Sequence, residues 1–522
     1  MSPLVNIDYI RGHVRTDSGV MIDKGNLWVD PRHTDFDGGI TLVNSTTDAT
    51  TDIATKNTRA LVKAIATGMP IRMPRGVVPY NGGELILNTI GQHFIGSGMS
   101  DGSLNQGTVM HKMAAGFGLK VRQTEHKVTD LTFSGNDLAG SQLYCDATHR
   151  GHFARLGFRN QGDSDYALYL GGDSVVNICL FHDLHFFDTG TGNYGNIKID
   201  NAFYCLFDMI TAAGCTGPYS VDIGGSGATV ASVIAFRAYH NDTGGTSGIL
   251  HLGSLSSQFR GYGLSCELDV ATQPWIHVEE ATDTVINGVH IQRGAQTVAC
   301  IKVTGNSYGT FFQGMEIRDT GSLSGQHMVE LDDAPFTAFR DVMVYSNNAF
   351  DFVKVNGTRV DDLLLDNVHY RSGAAGTNDL KCANATIRKS NMNVEFQSGN
   401  DSTSLYDVTG TITTANANIL RVFGQGALGV SGDQGDNSIT ATVGQTAPTI
   451  RYGTALTAPR TITLATTDVP NGSKFRVVRQ AAATGASGLA VGTGPLKTLA
   501  LGEWCDVEYN GSAWILTAFG AL

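Results

Sequence analysis

The chain has 522 residues, only 16 % of them charged, with 64 glycines and 12 prolines. A formal charge of −12 without any cluster of Lys and Arg excludes nucleic acid as a partner, because phosphate recognition needs concentrated positive charge. The start MSPLVNIDYIRGHVRTDSG lacks a basic-then-apolar leader and no apolar run is long enough for a bilayer, so membrane insertion is not expected. Few charges, many Gly/Asn/Thr/Ser corners and plentiful Val, Ile and Phe point to an all-β protein. The eight cysteines are scattered with no C-x-x-C pair, which predicts buried free thiols formed in a reducing cytosol.

Residues 1–50 are irregular. A helix is predicted from Asp52 to Ala66, with a Thr/Asp start, apolar Leu61, Val62 and Ile65 at helical spacing, and Gly68 where a C-cap belongs. Ile71-Arg72-Met73-Pro74-Arg75-Gly76 reads as a short strand and turn, completing a capping segment over 51–100.

From about residue 125 the chain repeats itself. An apolar-polar-apolar triplet recurs as Leu143-Tyr144-Cys145, Leu168-Tyr169-Leu170, Ile197-Lys198-Ile199, Val221-Asp222-Ile223 and Leu250-His251-Leu252. It continues as Ile276-His277-Val278, Ile301-Lys302-Val303, Val329-Glu330-Leu331, Val353-Lys354-Val355 and Leu380-Lys381-Cys382. A second strand follows each triplet, as in Leu156-Gly157-Phe158, Leu184-His185-Phe186, Val289-His290-Ile291 and Met315-Glu316-Ile317. Copies roughly 23 to 30 residues apart signal a solenoid, whose coils stack at about 4.8 Å and bury jointly what none can bury alone. The solenoid is expected over 101–397. A Gly/Ser/Asn/Asp-rich linker or stem follows over 398–437, then a compact β-sandwich over 438–522 with turns at Asn471-Gly472 and Asn510-Gly511.

The helix, the Ile71–Gly76 strand and Phe94-Ile95-Gly96-Ser97-Gly98 together resemble the N-terminal cap of the pectate-lyase-like β-helices of bacteriophage tailspikes. Gly494-Pro495-Leu496-Lys497 with Trp504 to Trp514 is similar to the terminal module of phage capsule-degrading spikes. The resemblance covers about residues 35–522. It implies a right-handed parallel β-helix with a short N-terminal capping helix and a C-terminal β-sandwich serving trimerisation or carbohydrate binding. It further implies a homotrimer on the virion, made in the host cytoplasm, partnered by phage tail or baseplate proteins and cleaving a bacterial surface polysaccharide. Many such spikes carry a large N-terminal attachment domain. Here residues 1–50 would serve as the attachment segment, or attachment would run through another protein.

Stacked coils turn repeats into outward columns. The first holds Asp222, His251, His277, Lys302, Glu330, Lys354 and Lys381, with Glu279 and Asp332 one step on. The second is expected to hold Tyr239, Glu267, Gln292, Arg318, Tyr345 and Arg371, flanked by His240, Ser265, Asp269, His290, Arg293, Glu316, Asp319 and His369. Glycoside hydrolysis needs a proton donor and a second carboxylate. Glu267 and Asp269, two apart on one strand, are the leading catalytic pair, with Glu316 the third candidate. Tyr239, His240, His290, Gln292, Arg293, Arg318, Asp319 and Tyr345 are the expected sugar-binding residues. The alternatives are a polysaccharide lyase using Arg318, His290 or Tyr345, acid–base chemistry at Glu279, Glu330 and Asp332, and a glycan-binding adhesin without catalysis. No cofactor is expected, nor a metal: His182 and His185, three apart on a strand, should face opposite sides.

Overall fold

In the computed structural model the described residues are 28–100, 107–162, 165–172, 174–187, 194–215, 217–224, 231–242, 248–268, 273–293, 298–319, 327–346, 351–356, 359–361, 363–372, 430–443, 446–466, 469 and 471–522. To these add short strands within 8–23 and 380–424. The chain divides into two compact units, Met1–Glu330 with Tyr345–Asn348, and Leu331–Val344 with Ala349–Leu522. It is nearly all β, with about eleven turns of parallel solenoid in all, one α-helix and further sheets at the C-terminus.

In the first unit, α1 (Thr51–Ala66) starts at Thr50, whose side chain accepts from the Ile53 amide, and ends where Gly68 takes φ +69°. Ala54, Ala60, Leu61, Ala64 and Ile65 form its buried face, while Val62 faces outward. The helix packs on Gly76–Tyr80. Buried Asn57 ties it down, accepting from the Thr41 amide (2.7 Å) and donating to the carbonyls of Thr41 (2.8 Å) and Pro79 (2.9 Å).

The triplets read from the sequence pair in parallel register, Leu143↔Leu168↔Ile197↔Val221↔Leu250↔Ile276↔Ile301. Their outer residues are buried and their middle residues face outward. Each coil also has a short middle strand, such as Val176–Asn177 stacked on Ala202–Phe203, and a long third strand, such as Leu180–Phe187 stacked on Leu206–Ala213. Stacking identical positions puts Phe153, Phe181, Phe207 and Phe236 face to face at 4.5–4.7 Å, the repeat of the sheet itself.

Two columns of left-handed residues turn the corners. One precedes the long strand: Arg150, Ile178, Tyr204, Val233, Gln258 and Asp283, all at φ 54–55°. The other lies inside it: Arg155, Asp183, Met209 and Ala238, then Gly263 and Gly288. A β-branched side chain in this region is strained. Ile178 is 53 % exposed and so gains little from burial. Ile178→Asn should therefore stabilise the protein by about 1 kcal/mol, read as a rise in denaturation midpoint; a fall would contradict the strained corner.

The inner corner explains one misplacement. With uninterrupted alternation Tyr239 points outward, but the left-handed Ala238 resets the phase. Tyr239 stacks between Ile210 and Leu264, is 1 % exposed, and donates to Ser220 Oγ at 2.6 Å. It is a core residue, not a sugar contact. The same reset at Asp183 leaves both His182 and His185 outside the core, beside buried Phe181, Leu184 and Phe186, rather than on opposite sides.

In the second unit, parallel coils run Val353↔Leu380↔Tyr406, with a small separate sheet from Arg359–Asp361, Thr386–Arg388 and Thr411–Ile412. Beyond them, two facing sheets enclose Ile450, Tyr452, Ile462, Phe475, Val477, Leu489, Val507 and Trp514. The chain alternates between these sheets with parallel pairing (Thr449–Tyr452 on Lys474–Arg479, Arg460–Leu464 on Leu489–Val491). It closes with antiparallel Glu503–Tyr509 and Trp514–Ala521, joined at Asn510-Gly511. The seven described cysteines are free and buried, and Cys382 lies outside the described side chains. Among the described residues no helix is long and apolar enough to cross a membrane.

Candidate functional site

Two faces of the first unit gather most of the polar residues singled out in the sequence. On the long-strand face one row runs His240, Ser265, His290, Glu316 and its neighbour runs Glu267, Gln292, Arg318, each residue paired with the next. Glu316 accepts from Arg318 Nε at 2.7 Å and lies 3.3 Å from His290 Nδ1. The Arg318 hydrogen bond, aided by its charge and by His290, outweighs partial burial and holds the Glu316 carboxyl below the ordinary range. Gln292, Arg318 and Tyr345 are exposed and His240 is half-buried. Glu267, Arg293 and Asp319 are strand residues whose side chains lie outside those described, and Asp269 lies outside the described residues altogether.

The first-strand face is more tightly organised. Asp222 accepts from Lys198 Nζ (2.7 Å) and the Tyr166 hydroxyl (2.9 Å), and Oδ1 is 2.9 Å from His251 Nδ1. The other nitrogen of His251 meets Glu279 Oε2 at 3.1 Å. Tyr219 stacks on His251, with ring centres 4.9 Å apart, and its hydroxyl lies 3.1 Å from His277 Nδ1. His277 Nε2 is 3.0 Å from Thr304 Oγ1.

Burial alone would raise the Asp222 carboxyl, but His251 and Lys198 bring it down to about 2. Burial would lower His251, yet Asp222 and Glu279 raise it, while burial and the neighbouring His251 push His277 down to about 4. A depressed acid stabilises the fold above its unfolded value of 3.8 and loses that stabilisation as pH falls through about 2. Asp222→Asn should therefore cost of the order of 2 kcal/mol near pH 6, with the difference vanishing toward pH 2. Urea titrations across that window check it; a pH-independent difference would contradict the pairing.

The outward columns read from the sequence hold Asp222, His251, His277 and Glu279 but omit Tyr166, Tyr169, Asp200 and Tyr219, which complete the cluster. Tyr166 and Asp222 are 56 residues apart, and only the coil register brings them together. The triplet pattern itself could have flagged Tyr169, the outward member of its own triplet, which donates to Asp200 Oδ2 at 2.6 Å. His251, His277 and Glu279 offer ligand atoms within 4.8 Å of one another, the set among the described residues that could hold a metal ion.

A parallel β-solenoid with outward polar ladders is the class that this geometry defines. Among solved structures the chain is similar to the mannuronan C-5 epimerase AlgE6 A-module of Azotobacter vinelandii (13 % identity, TM-score 0.44, covering 69 % of this chain and 95 % of that one). It is similar also to tailspike protein 3 of bacteriophage CBA120 (13 %, 0.45, 99 % and 72 %) and to the catalytic domain of a GH87 alpha-1,3-glucanase (12 %, 0.41, 70 % and 66 %). No protein-family profile and no curated protein matches the chain in sequence.

Proposed function

We propose that the chain acts on polysaccharide as a phage tailspike depolymerase, a homotrimer of the virion that binds a bacterial surface polysaccharide and cuts it internally by hydrolysis. The observation that carries this reading is the pair of register rows on the long strands, with Glu316 held as a carboxylate by Arg318 and His290 beside the Glu267–Gln292–Arg318 row. Glu316, kept ionised, is the base that takes a proton from water as its oxygen attacks the anomeric carbon. Glu267 is the acid that protonates the departing glycosidic oxygen. Their Cα atoms are about 11 Å apart by strand rise and coil stacking, a distance that two glutamate side chains can close to the roughly 6.5–9.5 Å of inverting enzymes. His240, Gln292, Arg293, Asp319 and Tyr345 are the sugar contacts.

A lyase is the second reading, favoured by one observation. A base and a cation suited to a uronate, His290 and Arg318, stand on either side of Glu316. Incubation with purified bacterial surface polysaccharides separates the outcomes. New reducing ends without unsaturated products support hydrolysis, and ultraviolet-absorbing unsaturated uronates support the lyase. Binding without shortening would sink both.

A further inference from the structure

We infer that His251, His277 and Glu279 form a binding site for a divalent transition-metal ion of the zinc class, on the first-strand face and independent of the cleavage reading above. The three come from two adjacent strands, Gly248–Leu252 and Ile276–Glu279. His251 and His277 are register partners, and Glu279 lies two residues beyond His277 on the same outward side. Sites built on paired strands hold their ligands in place better than sites on loops.

The ligand atoms lie within 4.8 Å of one another. A tetrahedral ion with bonds near 2.0–2.1 Å holds its ligand atoms about 3.4 Å apart. Glu279 Oε2 already stands 3.1 Å from His251 Nε2, so the remaining closure, at most about 1.4 Å, is toward His277, and Glu279 at the end of its strand, 48 % exposed, has room to follow it. The ion then takes the place of the His251–Glu279 hydrogen bond, and His277 exchanges one of its two hydrogen bonds for a metal bond.

The surroundings are those of a metal centre. Asp222 engages the far nitrogen of His251, as an outer carboxylate does when it fixes the tautomer and aims the other nitrogen at an ion. Asp222 is itself fixed by Lys198 and Tyr166, and Tyr219 packs flat on the His251 ring. Close by, the carboxylates of Asp200, Asp222, Glu279 and Glu330 outnumber the ammonium groups of Lys198 and Lys302, so the local field favours a cation. Two imidazoles among three ligands select zinc, nickel or copper over magnesium and calcium. Three protein ligands leave a fourth position on the outward side, open to water or to an oxygen of a bound molecule.

The test uses the full chain, freed of metal with a chelator, titrated with Zn²⁺ calorimetrically and with Co²⁺ by visible absorption. One ion per chain is expected, with the d–d bands of a low-coordinate nitrogen/oxygen site for Co²⁺ and far weaker binding of Ca²⁺ and Mg²⁺. Glu279→Gln, a near-isosteric change at an exposed position, and His251→Ala should each lose 100-fold or more in affinity. Asp222→Asn, which touches no ion, should lose about 10- to 100-fold. Circular dichroism of each variant separates lost ligation from lost folding. Absence of the cobalt bands in the wild-type chain would overturn the site, as would Zn²⁺ affinity unchanged in folded Glu279→Gln or Ca²⁺ binding as tightly as Zn²⁺. Polysaccharide cleavage enters none of these readouts, so either conclusion can fail alone.

Discussion

The Glu316→Gln variant is expected to depolymerise its polysaccharide about 10²- to 10⁴-fold more slowly than the wild type, the span that a positioned acid–base group contributes. Glutamine keeps the shape and one acceptor for Arg318 but carries no charge to take the proton of water. The pH profile gives a second reading of the same group. Arg318 and His290 hold the Glu316 carboxyl below its usual value of 4.5, so the acid limb of activity should lie below that pH. Arg318→Met removes the larger cause and should move that limb upward toward 4.5. Glu267→Gln should lose activity comparably, because hydrolysis needs the donor as well as the base. Full activity in both glutamine variants would remove this face from the mechanism and leave the fold untouched.

Lys112→Met should destabilise the protein by about 1.5–3 kcal/mol, the range for hydrogen bonds to a charged group. Lys112 is 0 % exposed at the end of Thr108–Lys112, and its ammonium, which has three protons to donate, lies within hydrogen-bond distance of four carbonyls: Gly116 (3.1 Å), Leu138 (3.1 Å), Ala139 (3.0 Å) and Gly140 (2.6 Å). Burial lowers its pKa to about 8, which still leaves it charged at neutral pH. One cation therefore ties together two irregular turns, sharing the Ala139 carbonyl with the Gly116 amide (2.8 Å) and the Gly140 carbonyl with Gln161 Nε2 (3.2 Å). Methionine matches its length but donates nothing. A urea-midpoint change corresponding to less than about 1 kcal/mol, the net worth of one ordinary hydrogen bond, would show that the carbonyls find other donors.

Much of this was legible in the chain. The triplets announced the solenoid because alternation along a strand is a local property, and the stacking of identical positions turns it into a core with no further information. The capping helix was legible from Thr50, its apolar stripe and Gly68. His290, Gln292, Glu316 and Arg318 fell into their rows because their strands follow the second corner without interruption. Tyr239 did not, since nothing in Ala-Tyr-His marks Ala238 as left-handed. Glycine at 263 and 288 advertises the same corner, whereas alanine, methionine and aspartate hide it. The two-residue middle strands were equally silent, being too short to show any period.

The repeat length and the inward positions of the triplets were thus determined by sequence alone, because each coil must bury the same apolar residues against the last. Which polar residues meet was decided only by the tertiary structure. Tyr166 reaches Asp222, and Asp222 reaches His251, across separations set by the path of each coil around its corners. A strand's own pattern carries its phase, but the phase between coils is a property of the stack.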